Sequence, residues 1–128
     1  MKEGNTSEDL KERTKKFALR IIRLYTALPK TAEAEVIGKQ ILRSGTSVGA
    51  HYAESQRGKS NADFIGKLQI ALQKLEETIY WLELIIEADI FPEKRIKPLI
   101  EETNELIAML TTTVLKVKSR EKKLIKKD

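Results

Sequence analysis

His51 is the one histidine of the chain; it stands four residues after Ser47 and three before Glu54. At those spacings the three side chains share a helix face and have the types of a nucleophile, a base and an orienting carboxylate. One helix face supplies no oxyanion donors, so the pattern reads better as a polar histidine at an interface than as a hydrolase. Glu76, Glu83 and Glu87 suggest a second chemistry, the carboxylate di-metal site of helical bundles, but that site needs two Glu-x-x-His units. Here Val48 lies three positions before the only His. A single His excludes a two-His cage within one chain. The absence of Cys excludes a disulfide scaffold, a thiolate zinc site, an iron–sulfur cluster and a Cys nucleophile. The Gly45–Gly49 block sits inside a helical pattern and follows no strand, so it makes no phosphate cradle. The expectation is a non-enzyme without metal or cofactor.

The basic residues are more informative. Arg13, Lys16, Arg20 and Arg23 are spaced 3, 4 and 3 apart, which puts all four on one helix face. Lys116, Lys118, Arg120, Lys122, Lys123, Lys126 and Lys127 follow near the C-terminus, against Glu121 and Asp128. Residues 76–105 hold nine acids and three bases, a net of −6 that leaves +11 elsewhere in a chain of net charge +5. Such segregation suits a phosphate-backbone partner. Tyr25 is the nearest aromatic, so binding would be electrostatic rather than by base stacking. The plain alternative is that Lys-rich segments only solubilise the chain.

Four helices would carry these groups. Leu10, Phe17, Ile21, Leu24 and Leu28 recur at three- and four-residue spacing over 7–28. Thr6 and Asp9 form a weak capping box, and Pro29 ends the helix. The second helix, about 32–55 with Thr31 as N-cap, has one face of Ile37, Ile41, Val48 and Tyr52. A face of Gly38, Leu42, Gly45, Gly49 and Ala53 lies beside it. Each interior glycine costs about 1 kcal/mol of propensity, which close approach of another helix would offset. Otherwise the glycines mark a break into two shorter helices. Ser60 and Asp63 cap a third helix, about 61–88, with a core stripe of Phe64, Leu68, Ala71, Leu72, Leu75, Ile79, Leu82 and Ile86. A fourth spans about 93–119, with Pro98 able to kink or delay it, and 120–128 reads as a basic tail. Short connections make neighbours antiparallel: an all-α, up-down-up-down four-helix bundle, in which both basic groups would share one end. No apolar run approaches the roughly 20 residues of a membrane span, and Met1–Asp9 lacks a signal-peptide core, so a cytoplasmic protein is expected.

Ile79–Ile86 carries one charge in eight residues. A helix apolar nearly all round must be buried on more than one side. Trp81, Leu84 and Ile70 fall away from the expected stripe and would form an exposed patch in a monomer. Self-association through that patch, with Gly45, Gly49 and His51, would cover it. Contact of this helix with two neighbours in one chain is the alternative.

The segments "QILRSGTSVGAHYAES" from Gln40, "DFIGKL" from Asp63 and "ETIYWL" from Glu77 resemble the bacterial four-helix bundles encoded in 23S ribosomal RNA intervening sequences. The same superfamily includes the accessory variability determinant of diversity-generating retroelements. The resemblance is dense over Leu28–Leu84 and looser beyond. It implies a closed homopentamer with a central channel, no enzymatic activity, and binding of nucleic acid or of a reverse transcriptase. His51 stands where that family usually has Asn. The function expected is a non-enzymatic, oligomeric nucleic-acid binder, with RNA ahead of DNA as its partner. The alternative is a protein-interaction scaffold, such as an accessory subunit of a reverse transcriptase.

Overall fold

The computed structural model describes the backbone of residues 7–127 and the side chains of residues 9–125. Thr6, and with it the capping box expected at Thr6–Asp9, lies outside the described residues. Four helices follow in order: α1 (Ser7–Ala27), α2 (Ala32–Ser55), α3 (Asn61–Glu87) and α4 (Glu93–Lys127). Their starts are sequence-encoded. The Thr31 hydroxyl accepts the Ala34 N–H at 3.2 Å. Ser60 accepts from Asp63 N–H at 3.1 Å, and the Asp63 carboxylate accepts from Lys59 N–H in return. That backbone donor, with the Lys67 ammonium, holds the Asp63 carboxyl below its usual range.

Each helix packs on the next, and α1 and α4 close the bundle. One core contains Phe17, Ile21, Ile41, Val48, Leu68, Leu75, Leu82, Ile96, Leu106 and Leu110, all nearly inaccessible to solvent. Gly38, Gly45 and Gly49 sit inside an unbroken α2, so the glycines do not divide that helix. They face α1. A Cβ on Gly45 would lie 2.6 Å from Ile21 Cγ1, one on Gly49 3.1 Å from Thr14 Oγ1, and one on Gly38 3.0 Å from both Tyr25 and Leu28. These contacts set Gly45 and Gly49, expected at an interface between chains, against α1 of the same chain, which accounts for the ridge of small residues without a second copy.

The core stripe of α3 also differs from the expectation. Leu68, Ala71, Leu75 and Leu82 are buried as expected, but Ile65, Thr78 and Ile85 complete the stripe. Phe64, Leu72, Ile79 and Ile86 are only half-buried. Both sets recur at helical spacing, and the polar Thr78 disguises the true one. Its hydroxyl donates to the Lys74 carbonyl and meets Ser44 Oγ on α2 at 2.8 Å, so its burial leaves no polar group unsatisfied. Trp81, Leu84 and Ile70 are half-buried as well, and Trp81 packs against the core with its ring edge-on to Tyr80. The large apolar side chains left exposed are instead Leu19, Ile22, Val36, Tyr80, Leu115, Leu124 and Ile125.

At its far end α3 closes in a Schellman turn. Ile90 N–H donates to the Ile85 carbonyl, Asp89 N–H to that of Ile86, and Asp89 takes a left-handed φ of 57°. The turn delivers Phe91 and starts α4 at Glu93. Exposed Pro98 lies inside α4 without delaying its start, and α4 runs on to Lys127, so residues 120–127 are helix rather than a tail.

Candidate nucleic-acid interface

The triad arrangement is absent. Ser47 Oγ donates to the Ser44 carbonyl of its own helix at 3.0 Å rather than to His51. His51 is half-buried, with Nδ1 3.5 Å from Glu54 Oε1 and no hydrogen bond to that nitrogen. Residues 45–49 read Gly-Thr-Ser-Val-Gly, the letter spacing of a nucleophile elbow. An elbow requires a strand-to-helix turn, whereas these residues lie mid-helix. Among the described residues no three His, Asp or Glu side chains are grouped to hold a metal ion. Nor is any helix among them long and apolar enough to cross a membrane.

The basic face of α1 divides into two parts. Arg13 is neutralised within the bundle. Its Nη2 lies 2.7 Å from Glu102 Oε1 and 2.8 Å from Glu105 Oε1, Nε donates to Glu102 Oε2, and Nη1 to Met109 Sδ. The hydrogen bonds to Glu102 and then Glu105 raise the Arg13 pKa further above its already high value. A guanidinium committed to two carboxylates is a poor phosphate ligand, which removes Arg13 from the expected binding set. Lys16 and Arg23 are exposed, Arg20 is half-buried, and none pairs with a carboxylate among the described residues.

Arg20 and Arg23 share a cleft of about 210 Å³ with Arg95 of α4, over a floor that includes Leu24, Phe91 and Leu99. The Arg95 guanidinium stacks 5.0 Å from the centre of the Phe91 ring. Arg95 belongs to the acidic segment of the sequence, and counting it only against its acidic neighbours conceals its role. The signal that would find it is the antiparallel register of α1 and α4, which sets the last turns of α1 beside the first turns of α4.

The second basic group lies elsewhere. From Leu115 onward no described residue of α4 is buried, and Lys116, Lys118, Arg120, Lys122 and Lys123 are exposed, without a carboxylate partner among the described residues. Lys126 and Lys127 continue the helix, but their side chains lie outside the described residues. At a rise of about 1.5 Å per residue, Lys116 is roughly 26 Å along α4 from Leu99 in the cleft. The two basic groups therefore occupy opposite parts of α4 rather than one shared end, because Arg20 and Arg23 lie toward the C-terminal end of α1.

No curated protein matches the chain significantly. Among solved structures, one similar protein is a member of the S23 ribosomal protein family from Bacteroides thetaiotaomicron, of unknown function. It is 38% identical, with a TM-score of 0.79, and the match covers 84% of this chain and 96% of that one. Residues 7–112 match the family model described as 23S rRNA-intervening sequence protein. That match takes in all of α1, α2 and α3 and more than half of α4, so the chain belongs to the 23S rRNA-intervening sequence protein family.

Proposed function

We propose that this chain is a non-enzymatic nucleic-acid-binding bundle that holds phosphates by unpaired cations at two places along α4. The observation that carries the reading is the exposed row Lys116–Lys123 on a helix whose last turns are not buried by the bundle. Cations without internal carboxylate partners release counterions when they meet a phosphate backbone, and that release drives binding irrespective of sequence. The family name concerns sequences within 23S rRNA, which makes RNA the first polyanion to test. The reading includes self-association, with the ring of five that the family resemblance implies.

The test is binding of labelled RNA titrated with salt. Affinity falls steeply as salt rises, and deleting residues 120–128 flattens the slope by roughly 0.7–0.9 for each phosphate that the variant no longer neutralises. An undiminished slope in the deletion variant, or no binding at low salt, refutes the reading. A second reading, a scaffold for a protein partner such as a reverse transcriptase, is favoured by the exposed apolar side chains Leu19, Ile22, Val36 and Tyr80. Light scattering on the purified protein tests self-association: a mass several times 14.6 kDa supports it, and a monomer at micromolar concentration rejects it.

A further inference from the structure

The cleft between α1 and α4 differs from the basic row on α4 in being concave and partly apolar. Three arginines line it, and none has a carboxylate partner among the described residues. The nearest acids along the α3–α4 turn, Asp89 and Glu93, line a different cleft with Phe91 and Pro92. The apolar side chains of Leu24, Phe91 and Leu99 keep water from one side of the cleft, which strengthens the pull of the three arginines on an anion there. The Arg95 guanidinium lies over the Phe91 ring, a contact that limits its freedom, so less is lost when its N–H fork meets two oxygens. A cleft of about 210 Å³ has room for a phosphate group.

We propose that the Arg20–Arg23–Arg95 cleft binds a phosphomonoester, and that its source is the 5′-phosphate at the end of an RNA strand. A terminal phosphate carries up to two negative charges and three free oxygens, whereas an internal phosphodiester carries one charge and two free oxygens. The cleft therefore distinguishes a strand end from the middle of a strand. Identifying the bearer as RNA rests on the nucleic-acid reading above; recognition of the phosphomonoester does not.

The experiment compares one short single-stranded RNA, labelled at its 3′ end, with either a 5′-phosphate or a 5′-hydroxyl. Fluorescence anisotropy is read for the parent protein, the double variant Arg20→Gln, Arg95→Gln, and the single variant Arg23→Gln. Circular dichroism verifies that each variant is folded, and exposed Arg23 gives the variant least able to disturb packing. The parent binds the phosphorylated strand roughly tenfold more tightly, the scale of charge-assisted hydrogen bonds. Both variants lose most of that preference, read as the ratio of the two affinities, so that a loss common to both strands, which the cleft's share in general phosphate binding produces, does not enter it. Equal affinity of the parent for the two strands overturns the proposal, as does a preference that survives in both variants. If the parent binds neither RNA, the nucleic-acid reading fails, and titration with inorganic phosphate and adenosine monophosphate decides the cleft. Saturable binding that the variants lose keeps it as a phosphomonoester site of small-molecule source; no saturable binding overturns it.

Discussion

The two seams that α1 makes with its neighbours are built on opposite plans. Against α2 it meets glycines, and the backbones close up until Ile21 and Thr14 leave no room for a methyl group without adjustment. Against α4 the backbones stay further apart. Arg13 bridges the middle of that wider seam to Glu102 and Glu105, and further along the same gap opens into the arginine cleft. Small residues make a seam that is stable and closed to ligands. Long charged residues make one that is weaker and leaves space where an anion can enter. Stability and proposed function thus lie on different sides of the same helix.

The largest expected effect breaks the tight seam. Gly45→Leu overpacks it and lowers stability by about 3 kcal/mol, read as a shift of the urea midpoint at unchanged slope. Gly45→Ala also destabilises, by about 1–2 kcal/mol, because the new Cβ would meet buried Ile21 and that clash outweighs the gain in helix propensity. A stabilised Gly45→Ala variant would mean that the seam has slack and that the contrast between the two sides fails.

Next in size is the wide seam. Arg13→Ala costs about 1 kcal/mol, the upper range for a partly exposed ion pair, and leaves the salt slope of RNA binding where it was. Arg20→Glu with Arg23→Glu does the reverse: RNA affinity drops while the thermal midpoint hardly moves. If Arg13→Ala weakens RNA binding as much as the double reversal does, the internal ion pairs do not withhold Arg13 from phosphate.

Gly66 calibrates the glycine ridge. It lies exposed on α3, and a Cβ there meets nothing within 4 Å. Gly66→Ala stabilises by about 0.5–1 kcal/mol through propensity alone, opposite in sign to Gly45→Ala. The smallest effect is acidification at the α3 cap. Asp63 has its pKa lowered by folding, so its contribution is present above the usual Asp pKa of about 3.9 and is lost as pH falls through the lower folded value. Faster amide exchange at Lys59 in that acid range, relative to amides in mid-helix, reports the loss. Uniform protection down to the pH of global unfolding counts against the cap.

Much of the architecture is legible in the sequence because local rules and burial point the same way. Thr31 and Ser60 announce helix starts by their capping chemistry, and the α1 stripe from Leu10 to Leu28 has no competitor on its own helix. The stripe of α3 is harder, since Phe64-Leu68-Leu72 and Ile65-Leu68-Ala71 are both periodic. A buried Thr78 satisfied by Ser44 cannot be told from a surface threonine without the partner helix in view. The far end of α4 reads as a tail, although it is helix, because a basic run without apolar periodicity carries no boundary signal.

The sequence by itself determined four amphipathic helices, the caps of α2 and α3, the small-residue face of α2 and the excess of positive charge. These depend on spacing and residue type within one segment, where the helical period converts position into face. Only the tertiary structure decided which cations are free. Arg13, Arg20 and Arg23 occupy equivalent places in the sequence pattern, yet one meets Glu102 and Glu105 while the other two join Arg95 beside Phe91. An ion pair forms or fails over a few ångströms. Residues 89 positions apart, as Arg13 and Glu102 are, come that close only through the register in which α1 and α4 pack.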